Sequence, residues 1–253
     1  MVTDERRREL LMRYFTDRVQ SQCDVYTTSL PDSRQLMLRA RLKLALATVC
    51  HHFPRGGRVL DVGSGYGLAA ATLADLGFDV TAVELVPELC QRARQEHADS
   101  KVKWLNQPFD AKVGKKASFD VVLSLGFLEY QERAGKELVK FRRLLRPGGL
   151  LILSVPNTLS GRFHYGLTRA YFRLFREPEN VSVRHSFTPE RLQRLLGMAG
   201  FIFLDYKWLP HGEDDLPLSE ERGRDFLKHR LKLRTEPEML TLSRTYRPQD
   251  TAY

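Results

Sequence analysis

Val59-Leu60-Asp61-Val62-Gly63-Ser64-Gly65-Tyr66-Gly67 decides how this chain folds. Its apolar head, interrupted by Asp61, reads as the end of a strand. Three glycines at alternate positions follow, and Leu68-Ala69-Ala70-Ala71-Thr72-Leu73-Ala74 then reads as a helix. A strand that turns sharply into a helix leaves backbone N–H groups pointing into the turn. Glycine permits positive φ there and lets a ligand meet the main chain without a Cβ in the way. An acidic side chain just ahead of the glycines suits a ligand that carries a cation, unlike the phosphate cradles this geometry commonly serves.

Outward from this turn, Asp79-Val80-Thr81-Ala82-Val83-Glu84 is a β-branched run ending in a carboxylate. It lies about 20 residues past the first glycine, the spacing of a ribose-hydroxyl ligand. The turn departs from the dinucleotide fingerprint, because the sixth position counted from Gly63 is Leu68. No Gly-Lys-Ser/Thr tripeptide occurs, so it is not a Walker loop either. Strands are predicted near 58–62, 79–84, 102–106, 119–124 and 149–155, with helices near 66–76, 87–98 and 132–145 between them. That alternation makes a parallel sheet with right-handed crossovers.

Ahead of the first strand, Leu10, Leu11, Tyr14, Phe15 and Val19 predict an amphipathic helix over 4–20, and Leu38, Leu42, Ala45, Leu46 and Val49 another over 33–51. Pro54-Arg55-Gly56-Gly57 breaks the chain after it. Downstream, Arg146-Pro147-Gly148-Gly149 stops a helix and feeds the apolar run Leu150–Val155. Thr188-Pro189-Glu190 starts a helix that Gly200 closes. A sixth strand opens at 201–204, and 238–244 forms a seventh, expected as the antiparallel edge strand. The whole of 1–253 reads as one domain, with 1–55 as an N-terminal helical cap and 157–187 as a helical lid or insertion.

Composition bounds the possibilities. Hydrophobic residues at 42% and charged residues at 28% are globular rather than disordered. No run reaches the ~18 apolar residues a membrane span needs. The charged start Met1-Val2-Thr3-Asp4-Glu5-Arg6-Arg7-Arg8 does not read as a secretory signal. Cys23, Cys50 and Cys90 are odd in number and widely spaced, as free thiols in a reducing compartment would be. A cytoplasmic location follows as an expectation. The net charge of +9 admits an acidic substrate, a nucleic acid or an anionic membrane surface, and alone chooses none of them.

The glycine turn with Asp61 and Glu84 resembles motif I and the following acidic position of class I S-adenosylmethionine-dependent methyltransferases. Leu145-Arg146-Pro147-Gly148-Gly149 is similar to the entry of their fifth strand. The resemblance implies an α/β, Rossmann-like, seven-stranded, mostly parallel sheet, with N-terminal helices and a helical insertion after the fifth strand. It implies S-adenosylmethionine as cofactor and S-adenosylhomocysteine (SAH) as product. Asp61 then sits near the methionine amino group, through the glycine turn or a water, Gly63, Ser64, Gly65 and Gly67 bring backbone to the cofactor, Glu84 takes both ribose hydroxyls, and Leu85 packs on the adenine. Gln107, Phe109 and Asp110 follow the third strand, where an adenine contact is expected, and Leu125 ends the fourth. Tyr26, Tyr66, Phe127 and Tyr130 are expected substrate-pocket walls, with core packing as the alternative.

Residues 157–191 resemble the polyprenyl-dihydroxybenzoate O-methyltransferases of ubiquinone synthesis, through Asn157-Thr158, a basic aromatic insertion and Phe187-Thr188-Pro189-Glu190-Arg191-Leu192. The insertion over 163–176 has the composition of an interfacial helix or a lid. It allows peripheral contact with an anionic membrane. Where those enzymes carry two glutamates and a histidine for a divalent metal, this chain has Gly126, Glu129 and Tyr130, so no metal is expected. His164 and His185 are the candidate general bases, because histidine titrates near neutrality; His51 and His52 read as structural. The chain has neither an Asn/Asp-Pro-Pro-Tyr/Phe motif after the fourth strand nor a Pro-Cys pair, which argues against amino-group base and cytosine-C5 methylation. The expected activity is O-methylation of a hydroxylated aromatic, quinone-like or natural-product small molecule, by a monomer or homodimer. The alternatives are N- or C-methylation of a small molecule, an RNA methyltransferase, and a non-catalytic cofactor-binding fold-mate. Nucleic acid is disfavoured, since arginines are spread throughout and no RNA-binding module is appended.

Overall fold

The computed structural model describes residues 4–110, 112–157, 185–209 and 238–245. Three helices come first, α1 (Asp4–Thr16), α2 (Val19–Thr27) and α3 (Ser33–His52). The alternating part follows as β1 (Arg58–Val62), α4 (Leu68–Asp75), β2 (Asp79–Glu84), α5 (Pro87–Glu96), β3 (Lys103–Asn106) and β4 (Phe119–Leu125). A single 3₁₀ turn (Leu128–Tyr130) leads to α6 (Ala134–Leu144) and β5 (Leu145–Pro156). The last described elements are α7 (Pro189–Met198), β6 (Phe201–Leu209) and β7 (Glu238–Thr245). The expected 157–187 insertion falls on 158–184, outside the described residues.

The seven strands form one sheet in the order β3-β2-β1-β4-β5-β7-β6. All pairings are parallel except the two that β7 makes. Both faces are covered, which is why the central strands read as unbroken apolar runs. Successive residues alternate between two cores. Leu60, Val62, Val122, Leu151 and Leu153 pack with Leu138 and Phe141 of α6 and Leu192 and Leu196 of α7. Val59, Val121, Leu123, Leu150 and Ile152 pack instead with Ala45 and Val49 of α3 and Ala70 and Leu73 of α4. Each such leucine or valine contributes ~1.5–3 kcal/mol on burial.

Local chemistry sets the helix ends. Asp32 accepts from the Gln35 N–H at 2.7 Å while the Gln35 amide oxygen accepts from the Asp32 N–H at 2.9 Å, a capping box that starts α3. Thr188 caps α7 through the Arg191 N–H at 3.2 Å, with Pro189 in the first turn.

Three expectations are corrected. The helix over 4–20 is two helices, broken at Asp17-Arg18. The Thr16 hydroxyl donates to Glu88 of α5 at 3.0 Å, and the bend lets α2 bury Cys23 and Val25 beneath it. β7 is not an edge strand: it lies between β5 and β6, and β6 forms the edge. Its Thr241, Ser243 and Thr245 are accordingly fully buried. β5 starts at Leu145, so the Arg-Pro-Gly-Gly segment lies inside the strand, where the β4–β5 register shifts between Phe119 and Val121. The Thr245 hydroxyl holds that irregularity, accepting from the Gly149 N–H at 3.1 Å and donating to the Arg146 carbonyl at 2.6 Å.

Strand order reverses between β1 and β4, so their carboxyl ends open a crevice at the switch point.

Candidate functional site

The β1–α4 turn is pinned by the end of its neighbour. The Val83 carbonyl accepts from both the Gly63 and Ser64 N–H groups, at 2.9 and 3.2 Å. Gly63, Gly65 and Gly67 all have positive φ, yet they serve different ends. A Cβ on Gly67 would lie 2.5 Å from the Trp104 ring and 2.9 Å from Ala93 Cβ, and one on Gly63 would lie 3.2 Å from Phe127. A Cβ on Gly65 would meet nothing nearer than the Gln22 amide oxygen, at 3.9 Å. Gly65 is therefore the glycine whose bare backbone faces open space.

Glu84, at the end of β2, is buried and tied to this turn. One carboxylate oxygen accepts from the Gly65 N–H at 2.7 Å, the other from the Val86 N–H at 2.9 Å. Burial pushes its pKa up, opposed by hydrogen bonds from the backbone of Val86, Gly65 and Leu85. At least one of the carboxylate's roughly four acceptor positions stays available. Asn106 steadies the same corner, donating from its side chain to the Glu84 carbonyl at 3.0 Å.

Asp61 is buried immediately before the turn, and its Oδ2 has no hydrogen-bond partner among the described residues. Its pKa is pushed up to about 7, by burial first and then by the charge of Glu84, with Arg41 acting the other way. A buried carboxyl perturbed in this way beside a crevice is a candidate functional group. Arg41 reaches in from α3, its Nη1 3.4 Å from the Ser154 hydroxyl. Gly126, at φ +81°, leaves room for it: a Cβ there would lie 3.0 Å from Arg41 Nη1 and 3.5 Å from Glu129 Oε1.

Glu84, Arg41, Gly126 and Glu129 border a cavity of about 680 Å³, within the range of small-molecule sites. Of the residues read as functional from sequence, Gly63, Gly65, Glu84, Leu85, Gln107, Phe109, Leu125, Phe127 and Tyr130 line it together. Phe109 meets Phe127 edge-on at 5.8 Å, and Tyr130 meets Phe15 of α1 in the same manner at 5.1 Å.

Other predicted residues lie elsewhere. Asp61, Ser64 and Gly67 belong to the turn without lining the cavity. The Asp110 carboxylate accepts from the Lys112 N–H at 2.5 Å in a local turn. Tyr26 packs against the core beneath α3, and Tyr66 is buried edge-on to His97 at 5.5 Å; neither is a cavity wall. His185 does not line the cavity, although its backbone N–H donates to the Glu129 carbonyl at 2.8 Å. His164 lies outside the described residues. No set of three His, Cys, Asp or Glu side chains among the described residues is placed to hold a metal. No described helix is long and apolar enough to cross a membrane.

The sequence reading had the N-terminal helices closing over the site, but not which of their residues face it. Tyr14, Phe15, Arg18, Gln22, Arg34 and Arg41 bring α1, α2 and α3 over the crevice, and Glu129 approaches from the 3₁₀ turn. A signal existed: Arg41 interrupts the apolar side of α3 between Leu38 and Leu42.

Residues 32–204, more than half of the chain, match the family model described as a methyltransferase domain. A relative from Xanthomonas oryzae pv. oryzae, named ubiquinone biosynthesis O-methyltransferase, is 36% identical over 120 residues, which is 46% of this chain and 50% of the relative. The chain thus spans about half the length of the curated relatives it matches. Among solved structures, a Burkholderia thailandensis 1,6-didemethyltoxoflavin-N1-methyltransferase, with bound 1,6-didemethyltoxoflavin and SAH, superposes with a TM-score of 0.66 at 21% identity, covering 98% of this chain and 92% of that one. Magnesium protoporphyrin IX methyltransferase from Synechocystis PCC 6803, with bound SAH, gives a TM-score of 0.64 at 16% identity and covers 94% of this chain and 99% of that one. At these identities the likeness is one of fold.

Proposed function

The chain belongs to the methyltransferase-domain family, and on that premise we propose that it methylates a small molecule from S-adenosylmethionine, on an oxygen of a hydroxylated aromatic or quinone-like acceptor. The observation that carries the donor assignment is the Glu84 carboxylate fixed to the Gly65 backbone at the cavity wall. Its remaining acceptor capacity suits a ribose diol. The unpartnered Oδ2 of Asp61 suits an ammonium group. Arg41, electrostatically linked to Asp61, suits the carboxylate of the same amino acid. Leu85 and Phe109 suit the faces of a purine, with Gln107 at its edge. The oxygen acceptor is supported by the names of the half-length relatives.

When bound, S-adenosylmethionine supplies a methyl group already activated on a cationic sulfonium. The chain's own task is then to hold the acceptor in line and keep water out. Phe15, Phe127 and Tyr130 provide apolar walls for this at the acceptor end. If the acceptor hydroxyl arrives protonated, a base is needed. His164 and His185 are the proposed groups, His185 standing next to the Glu129 turn. Incubation with methyl-labelled donor and a panel of phenolic, amine and RNA acceptors tests the proposal. Label entering a phenol with release of SAH is expected; label entering only amines or RNA would contradict the acceptor class.

A further inference from the structure

β6 ends the sheet, bonded to β7 on one side and, among the described residues, to no strand on the other. At nine residues it is long for an edge, and a long open edge invites another strand. Phe201, Phe203, Tyr206 and Trp208 turn to the core shared with α6 and α7. Asp205 and Lys207 pair with Leu242 and Leu240 of β7, which belong to the opposite core, so both charges stand on the other face, and both are exposed. Neither has an ion-pair partner among the described residues. The Asp205 carboxylate instead accepts from the Tyr206 N–H at 2.8 Å, where a further strand would supply a carbonyl. Leu204, at the break in the β6–β7 register, is 40% exposed.

A lone lysine on an edge keeps other strands away. Asp205, two places before Lys207, changes this, because a second copy of β6 can meet both charges at once. Antiparallel pairing about a two-fold axis at Tyr206 sets Asp205 opposite the partner's Lys207 and Lys207 opposite the partner's Asp205. The same register brings Leu204 against the partner's Trp208. An axis at Asp205 or at Lys207 would set like charges face to face, so the charges favour a single register of self-pairing. We propose that the chain forms a two-fold dimer through β6, the two sheets joining edge to edge with Asp205 and Lys207 paired across the axis. Such a dimer is closed, since each copy spends its β6 edge on the other. β5 and β7 separate β6 from β4, so the crevice of each copy lies away from the contact, which is independent of the methyl-transfer reading.

Sedimentation equilibrium of the whole chain over ~1–200 μM tests this. Wild type is expected to approach twice the mass of one chain as its concentration rises. Asp205→Lys alone and Lys207→Asp alone each replace two attractive contacts with two repulsive ones. Each should weaken association about tenfold or more, with circular dichroism unchanged because both positions are exposed. Mixing the two variants should restore association, since each then meets the opposite charge on the other at both positions. Wild type that keeps the mass of one chain throughout would overturn the proposal. So would a dimer that either single reversal leaves intact, or a mixture no more associated than its components.

Discussion

Raising the pH from 6 to 7.5 should tighten SAH binding about eightfold. The reason is Asp61, a carboxyl pushed up to about 7, by burial above all and then by Glu84. Roughly 9% of such a group is ionised at pH 6 and roughly 76% at pH 7.5. Only the ionised form pairs with an ammonium, so affinity should follow that fraction. The α-amino group of SAH belongs to a free amino acid, whose carboxylate makes it a stronger base than a chain terminus, so it keeps its proton over this range. Calorimetry in buffers of contrasting ionisation enthalpy should detect release of close to one proton per SAH at pH 6, falling as the pH rises. Asp61→Asn should bind weakly and without pH dependence. Stability moves the other way. With its folded pKa raised above the ordinary 3.8, Asp61 holds a proton in the folded chain that the unfolded chain has lost. Its contribution is full below pH 3.8 and is lost as pH rises through about 7, by about 4 kcal/mol in all. Ligand-free Asp61→Asn should therefore be more stable than wild type at pH 8, the gap narrowing as pH falls. Affinity that is flat from pH 6 to 7.5, with heats independent of buffer, would refute this reasoning.

Two glycines in one turn should respond differently to the same substitution. Gly67→Ala places a Cβ 2.5 Å from the Trp104 ring at φ +81° and should cost about 2–4 kcal/mol in urea unfolding. Gly65→Ala meets open space, should cost only about 1 kcal/mol, and should weaken SAH binding by more than its loss of stability explains. Thr188→Ala removes the cap from the Arg191 N–H and should cost about 1 kcal/mol in the same assay, with SAH affinity unchanged.

What was legible from sequence was local chemistry. The glycine turn, the carboxylates at the ends of β1 and β2, and the two-faced apolar strands are each determined by neighbours along the chain, and Gly63, Gly65 and Glu84 from them line the floor of the cavity. What was not legible depends on segments far apart. Tyr66 lies within the turn, but its ring packs on His97 because α5 and β3 arrive there. Tyr26 was read as a wall, whereas it packs on the core beneath α3. The place of β7 inside the sheet rests on pairings with β5 and β6 that no local pattern encodes. The helical cap was expected as the roof, but its lining residues were not: an amphipathic pattern shows that a helix has an apolar side without showing which charged residue on it overhangs the crevice. Gly67 was read as a cofactor contact, and Trp104, 37 positions later, gives it a packing role.

The central claim is that Glu84, fastened to the bare backbone of Gly65, receives the sugar of a sulfonium nucleoside. Its most direct measurement is the dissociation constant of SAH for wild type and for Glu84→Ala. The account predicts saturable binding to wild type, weakened about tenfold or more in the variant, because a charged acceptor with two sugar hydroxyls is lost. Equal affinity in the two proteins, or no binding to either, would contradict it.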